Sequence, residues 1–308
     1  VTPLREVRLV MGTTAEIRVG GLADPGSALD AAFAALDGVD ARMSLWKQSE
    51  LSALNREGEG RVSPETFAVI AHALEVAAAS DGAFDPTVEP LVRAAGGLGD
   101  EARPLDAAER QALRARVDYR RVTLDEATRT VRLAGGTRLV LDAAAKGDAA
   151  DRALAALRAA GATSGLVDLG GSTIAAFGES CAVDLRDPTG ARRPWGAFRL
   201  ADGALGTSGG DQKPGHIVDP RTGDPAESVL QATVLAESAR EADVLSTAVF
   251  VLGPEEGLAL ALRRGAAALV LVLEDGQRVI RTTPGFAAAH ALVAAPGVSV
   301  LEAEVVRP

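Results

Sequence analysis

The sequence predicts an α+β chain, with helices flanking mixed, mostly antiparallel sheets. Three observations carry that reading. Alanine- and leucine-rich stretches place apolar residues three or four apart through the N-terminal part of the chain, the spacing of one helix face. Short runs of alternating or continuous apolar character, such as Leu4–Val10, Ser164–Leu169 and Ala267–Leu273, end at glycine-containing turns. Helices and strands follow one another in mixed order, unlike the strict alternation of a parallel sheet. The expected organisation is one compact domain over residues 1–308, with a helical subregion around 25–117.

In chain order, Leu4–Val10 and Thr14–Gly20 read as a hairpin around Met11-Gly12-Thr13. Pro25 and Ser27 open a helix through Asp40, with Leu29, Phe33, Leu36 and Val39 on its apolar face. Ser49 is placed to cap a second helix and Ser63-Pro64 to start a third. Pro86 biases Asp85 towards an extended backbone, presenting its side chain from a loop that enters a short helix. Residues 97–106 read as a linker, 106–117 as a helix, Arg120–Leu124 and Thr130–Leu133 as strands, and Ala143–Ala160 as a helix. Strands are expected at Ser164–Leu169, Ile174–Phe177, Ala182–Arg186, Ala197–Ala201 and Gln231–Leu235. Helices at 239–251 and 254–264 and strands Ala267–Leu273 and Gln277–Thr282 precede a tail to which no structure is assigned.

The formal charge of −10 and the lack of a basic stripe argue against a nucleic-acid partner. One cysteine, Cys181, excludes an internal disulfide and a cysteine-only zinc site. No run approaches the roughly 18 apolar residues of a membrane helix. Three histidines, His72, His216 and His290, are too few and too scattered for a histidine-rich metal site.

The stretch richest in chemistry is GTSGGDQKPGHIVDPRTG, Gly206–Gly223. Its glycines let backbone N–H groups come close to a ligand, and Thr207, Ser208 and Arg221 can meet phosphate oxygens. His216 is a proton carrier suited to neutral pH, or else a satisfied buried histidine. In AREADVLSTA, Ala239–Ala248, helical periodicity puts Asp243 and Thr247 on one face, two hard oxygen donors for a divalent cation or simply a helix acid and a core threonine. Lys146-Gly147 and Gly170-Gly171-Ser172 each read either as phosphate contacts or as a solvated charge and a turn.

In order, the stretches MGTTAEI, SLWKQSELSALN, DGAFDPTVEPLV, AAKGDAADRAL, DLGGS, GTSGG, HIVDPRTG and ADVLSTAVFVLG resemble the FAD:protein FMN transferase (ApbE) family, from Met11 to about Gly285. The resemblance implies a T-fold-like core and an enzyme that takes FAD with Mg²⁺. It implies transfer of FMN to a Ser or Thr of an acceptor protein with release of AMP. Some relatives hydrolyse FAD to FMN and AMP instead, and a flavin-binding protein with degraded catalysis is a third reading.

Carried over by motif, the metal ligands fall on Asp243, Thr247 and the Ala143 carbonyl. FAD contacts fall on Met11, Trp46, Ala83, Phe84, Asp85 and Ile217, and Asp142, Lys146, Thr207 and Ser208 join the binding set. His216 is the candidate base. The chain departs from the family pattern before Lys146, where Val140 and Asp142 stand in place of its aspartate and glycine. Either Asp142 is that acid displaced, or the acid is lost and Asp142 is new. The expected setting is bacterial and extracytoplasmic, periplasmic or membrane-associated, with the cytoplasm as the alternative and no export signal at Val1.

Overall fold

The computed structural model describes residues 3–99, 101, 103–188, 190, 193–209 and 217–303. Strands β1 (Leu4–Val10) and β2 (Thr13–Gly20) form the expected hairpin, closed by Met11 and Gly12 at φ 53° and 72°. Helix α1 (Pro25–Met43) starts where Asp24 accepts the Ser27 N–H, and its four expected apolar positions are fully buried. Helix α2 (Glu50–Glu57) carries a reciprocal Ser49–Ser52 capping box and stops at the left-handed Gly58. After β3 (Glu59–Arg61), Ser63 caps α3 (Pro64–Ala79). The helical subregion ends with α4 (Glu89–Ala94) and α5 (Ala107–Arg114). Strands β4 (Val122–Asp125) and β5 (Thr130–Leu133) join β3 in a small sheet ordered β3-β5-β4.

The remainder builds the main sheet and its helices. Helix α6 (Asp142–Ala159) leads into β6 (Ser164–Leu169), β7 (Thr173–Phe177), β8 (Cys181–Leu185), β9 (Gly196–Leu200) and β10 (Gly203–Gly209). Then come β11 (Gln231–Ala236), α7 (Ala239–Arg263), β12 (Ala267–Glu274) and β13 (Gln277–Thr282). The tail forms α8 (Phe286–Ala289), β14 (Val293–Ala294) and β15 (Val298–Glu302). Among the described residues the main sheet has nine strands in the order β1-β2-β6-β7-β10-β11-β12-β13-β15, antiparallel at every step except β13–β15. A second sheet runs β14-β9-β8.

Strand β12 shows why its run is apolar throughout. Ala268, Val270 and Val272 enter the core shared with α1, α6 and α7, while Leu269 and Leu271 face Trp195, Phe198 and Phe286 on the other side. Full burial of each of these leucines contributes about 2 kcal/mol. Helix α7 is long and apolar enough to cross a bilayer, yet most of it is buried against β10, β11 and β12, as a core helix is. It breaks at Gly253 (φ 84°, ψ −173°) before Pro254, as the two separate sequence segments anticipate. Pro254 has no N–H for the Phe250 carbonyl, and Ser228 Oγ donates to it instead at 2.8 Å.

Two expectations change. Gly206–Gly209, to which the sequence reading assigns no strand, is the end of β10, a central strand, paired with β11 throughout. The tail carries a further strand, because β15 finds a parallel partner in β13 that local patterning does not reveal.

Candidate active site

A cavity of about 280 Å³ lies between the main sheet and the helical subregion. Thr207, Ser208 and Gly209 of β10 and Gln231 and Thr233 of β11 form one wall with Asp142, Ala143 and Lys146 of α6 and Asp243 and Thr247 of α7. Ala83, Phe84 and Asp85, with Val88 just before α4 and Val92 within it, face them. Ile217 and Val183–Arg186 also line it.

Two glycines let the elements of the first wall meet. A Cβ at Gly206 would stand 2.4 Å from the Ala242 carbonyl oxygen and 2.5 Å from Asp243 Cα, so α7 lies directly on β10. A Cβ at Gly147 would stand 2.4 Å from the Ala239 carbonyl oxygen, so the start of α6 touches the first turn of α7. Asp151 fixes that contact by accepting the Ala239 and Arg240 N–H groups at 2.7 and 3.1 Å, capping α7 from outside.

Asp243 is buried at this junction. Its carboxylate accepts from Thr173 Oγ1 at 3.0 Å and from Gly147 N at 3.1 Å. Burial pushes its pKa up to about 6, against the Lys146 charge and these two hydrogen bonds, with Asp151 adding repulsion. In a regular helix the Gly147 N–H would serve the Ala143 carbonyl. Here it reaches Asp243, so that carbonyl has no exclusive claim on its usual donor. Ser208 Oγ lies 2.9 Å from Ser246 Oγ and 3.1 Å from Thr247 Oγ1, and Lys146 Nζ donates to Ser172 Oγ at 3.1 Å. Oxygen donors, one buried acid and one amine thus converge on one wall, a set suited to a hard cation and an anionic ligand.

The opposite wall is apolar except for Asp85. Both Asp85 oxygens serve the protein: Oδ1 accepts from Thr87 N at 2.8 Å and Thr87 Oγ1 at 2.7 Å, and Oδ2 accepts from Tyr119 N at 3.0 Å. Burial raises its pKa, opposed by those hydrogen bonds.

An ApbE family model matches residues 11–270. The chain belongs to the ApbE family. Among its relatives, the Treponema pallidum FAD:protein FMN transferase is 34% identical over 288 residues, covering 82% of this chain and 79% of the relative. The Haemophilus influenzae protein of the same name is 30% identical over 283 residues, covering 82% and 80%. The solved flavin transferase ApbE of Vibrio cholerae superposes with a TM-score of 0.81 at 28% identity, covering 92% of this chain and 98% of the other. The Thermotoga maritima ApbE crystal structure gives 0.82 at 25% identity, covering 96% and 97%. The mixed sheets and flanking helices are therefore the family's fold.

Of the residues carried over by motif, Ala83, Phe84, Asp85, Asp142, Ala143, Lys146, Thr207, Ser208, Ile217, Asp243 and Thr247 all line the one cavity. Asp142 sits in the first turn of α6, four residues before Lys146. Met11 and Trp46 are not in the lining. Met11 is half-buried at the tip of the hairpin, where its neighbour Thr13 sits against Gly170. Trp46 is 65% exposed and packs over Gly99. His216 lies outside the described residues, directly before Ile217.

Arg221 is outside the cavity lining: its Nη2 donates to Asp219 at 2.8 Å, and Pro220 is the residue of that turn that reaches the cavity. Sequence reasoning missed Asp184 and Arg186, which reach the rim from β8, and Asn55. The Asn55 amide brackets Leu139, donating to its carbonyl at 2.8 Å and accepting its N–H at 2.7 Å, which sets the approach to α6. Only the position of Arg186 one residue past an apolar strand hints at a rim cation.

Proposed function

We propose that this chain is a Mg²⁺-dependent FAD:protein FMN transferase, cleaving the FAD pyrophosphate, attaching FMN to a Ser or Thr hydroxyl and releasing AMP. The observation that carries the reading is the buried Asp243, gathered with Thr247, Lys146 and Ala143 on one wall of a cavity in a chain with named FAD:protein FMN transferase relatives.

The donor set fits Mg²⁺. It offers one carboxylate, one hydroxyl and one carbonyl, and no cluster of three or more His, Cys, Asp or Glu occurs among the described residues, so water would complete the shell. When bound, the ion supplies charge neutralisation at the pyrophosphate. Asp243, Thr247 and the Ala143 carbonyl would hold it. Lys146 adds a fixed positive charge for phosphate oxygens, and Ser172 orients that amine. The apolar wall of Ala83, Phe84, Val88 and Val92 suits the flavin ring and keeps water from it.

In the transfer, the acceptor oxygen bonds to the phosphorus on the FMN side, and the bond from that phosphorus to the AMP-side bridging oxygen breaks. AMP leaves with the bridging oxygen, and the hydroxyl proton passes to a base, the role assigned to His216.

The test is incubation with FAD, Mg²⁺ and a Ser/Thr-bearing acceptor. Covalently fluorescent acceptor with stoichiometric AMP is expected. Free FMN with AMP would replace the reading by FAD hydrolysis, and unchanged bound FAD would replace it by flavin binding alone. Asp243→Ala should lower the Mg²⁺-dependent rate roughly a thousandfold while FAD still binds. His216→Ala should slow transfer more than it weakens FAD binding.

A further inference from the structure

A strand that shows one face to a cavity contributes every second residue to its lining, because successive side chains point to opposite faces. Strand β8 and its end contribute four in a row, Val183, Asp184, Leu185 and Arg186. The cavity therefore runs along the edge of β8. That edge is open, since β8 is terminal in its sheet and pairs only with β9 among the described strands.

The direction of the main-chain groups follows. The Leu185 carbonyl accepts from Trp195 N at 2.8 Å, on the β9 side. With a period of two, Val183 also turns its N–H and C=O to β9, while those of Ala182 and Asp184 aim at the open edge. The C-terminal end of this edge meets the polar wall. The Arg186 guanidinium lies over Gly171, where a Cβ would be 2.5 Å from Nη2, and Gly171 adjoins the Ser172 that receives Lys146.

We propose that the protein acceptor binds as an added β-strand along β8, its main chain paired with Ala182 and Asp184 and its Ser or Thr delivered at the Arg186 end. This inference rests on the transferase reading above. Strand addition suits the task. Main-chain hydrogen bonds hold a segment of varied sequence, and alternate side chains stand out from it, so one hydroxyl can enter the cavity while its neighbours point away. An unpaired edge is otherwise a template for unwanted association, which gives its position beside the site a use.

The test uses a display library of about ten-residue peptides with one central Ser or Thr, a length that spans a typical strand, incubated with the enzyme, FAD and Mg²⁺. Labelled peptides are then resynthesised with single N-methyl groups along the backbone. Methylation at alternate positions should abolish labelling while methylation between them is tolerated, giving a period of two. In the enzyme, Ala182→Pro and Asp184→Pro each remove one outward donor at a place where an edge strand accepts proline. Each should raise the peptide KM roughly tenfold with the melting temperature close to wild type, and in Ala182→Pro, whose residue is outside the cavity lining, the FAD dissociation constant should also stay close to wild type. Labelling with no N-methyl periodicity and an unchanged KM in both proline variants overturns strand addition and leaves transfer standing. FAD consumed to FMN and AMP with no peptide labelled overturns the transferase reading, and this inference with it. The peptide arm needs only the wild-type enzyme, so misfolding of a proline variant leaves the inference open to refutation.

Discussion

The two walls of the cavity are built on different principles. The wall of β10, α6 and α7 is set by backbone lying on backbone, through Gly206 and Gly147, and it carries nearly every polar group of the site. The wall of residues 83–92 is set by side chains, with its loop held by the single carboxylate of Asp85. The contrast separates two demands. Charge chemistry needs fixed donor positions, which main-chain packing supplies. A flat aromatic ligand needs apolar area, which exchangeable side chains supply.

The strongest way to break this comparison is Gly206→Ala. The new methyl would meet the Ala242 carbonyl and Asp243 Cα at 2.4 and 2.5 Å, and neither can yield unless α7 moves. Overpacking of this kind costs about 1–3 kcal/mol, and a shift near 1 Å in a catalytic group costs roughly a hundredfold in rate. Calorimetry and transfer assays should show both losses. Gly26→Ala, whose methyl would approach only an Asp24 side-chain atom at 3.7 Å, is the control and should show neither. Wild-type turnover in the Gly206 variant would remove the backbone account of the first wall.

A second test concerns the charge on Asp243. Its folded pKa, raised to about 6 chiefly by burial, means the metal-free chain carries the neutral acid below about pH 6, well above the range where an exposed aspartate is protonated. That stability is fully present below the ordinary carboxylate value and is lost as pH rises through about 6. A cation takes the ionised form, so binding below about pH 6 must expel a proton, and affinity should fall about tenfold per pH unit there. Above about pH 6 it should level off. Mg²⁺ titration of the FAD-loaded enzyme across that range checks the slope, and a flat profile would take Asp243 out of the metal site.

How much of this was legible beforehand follows the same division. Caps and apolar faces are local, and so Ser49, Ser63 and the buried face of α1 could be read directly. The pairing of Asp243 with Thr247 followed from helical spacing alone, and motif order named eleven residues that line one cavity. What was missed depends on long-range partners. Gly206 in a run of Gly, Ser and Thr looks like a loop, because nothing local reports the helix lying across it. Arg221 looked available for phosphate because its tie to Asp219 is a property of the folded turn. Strand β15 exists through β13, and Asp184 and Arg186 matter only because the edge of β8 borders the cavity.

The apolar wall should respond more gently. Asp85→Asn keeps one acceptor but turns an NH₂ group towards one of the N–H groups that the carboxylate satisfied. Leaving such a buried donor unpaired costs about 1–3 kcal/mol. The loop carrying Ala83 and Phe84 should loosen, weakening FAD binding roughly tenfold, equivalent to about 1.4 kcal/mol, while kcat at saturating FAD stays within a few-fold. A collapse of kcat instead would mean that the two walls do not divide the work.

The smallest expected effect is at Met11. A two-residue hairpin with positive φ at both positions is suited to Asn-Gly or Gly-Gly, and methionine at φ 53° has the crowded left-handed backbone that glycine accepts without strain. The strain is of order 1 kcal/mol, and a residue retained against it is a candidate for a role outside the turn. Met11→Gly relieves that strain but gives up the Met11 packing on the core and adds unfolded-state freedom, so thermal stability should change by at most about 1 kcal/mol, while FAD binding weakens a few-fold through loss of the side chain. Met11 stands outside the cavity lining, two residues before the Thr13 that packs on Gly170, and Gly170 adjoins the lining residue Gly171. Unchanged FAD affinity would leave Met11 with a packing role alone and confine ligand contact to the two walls.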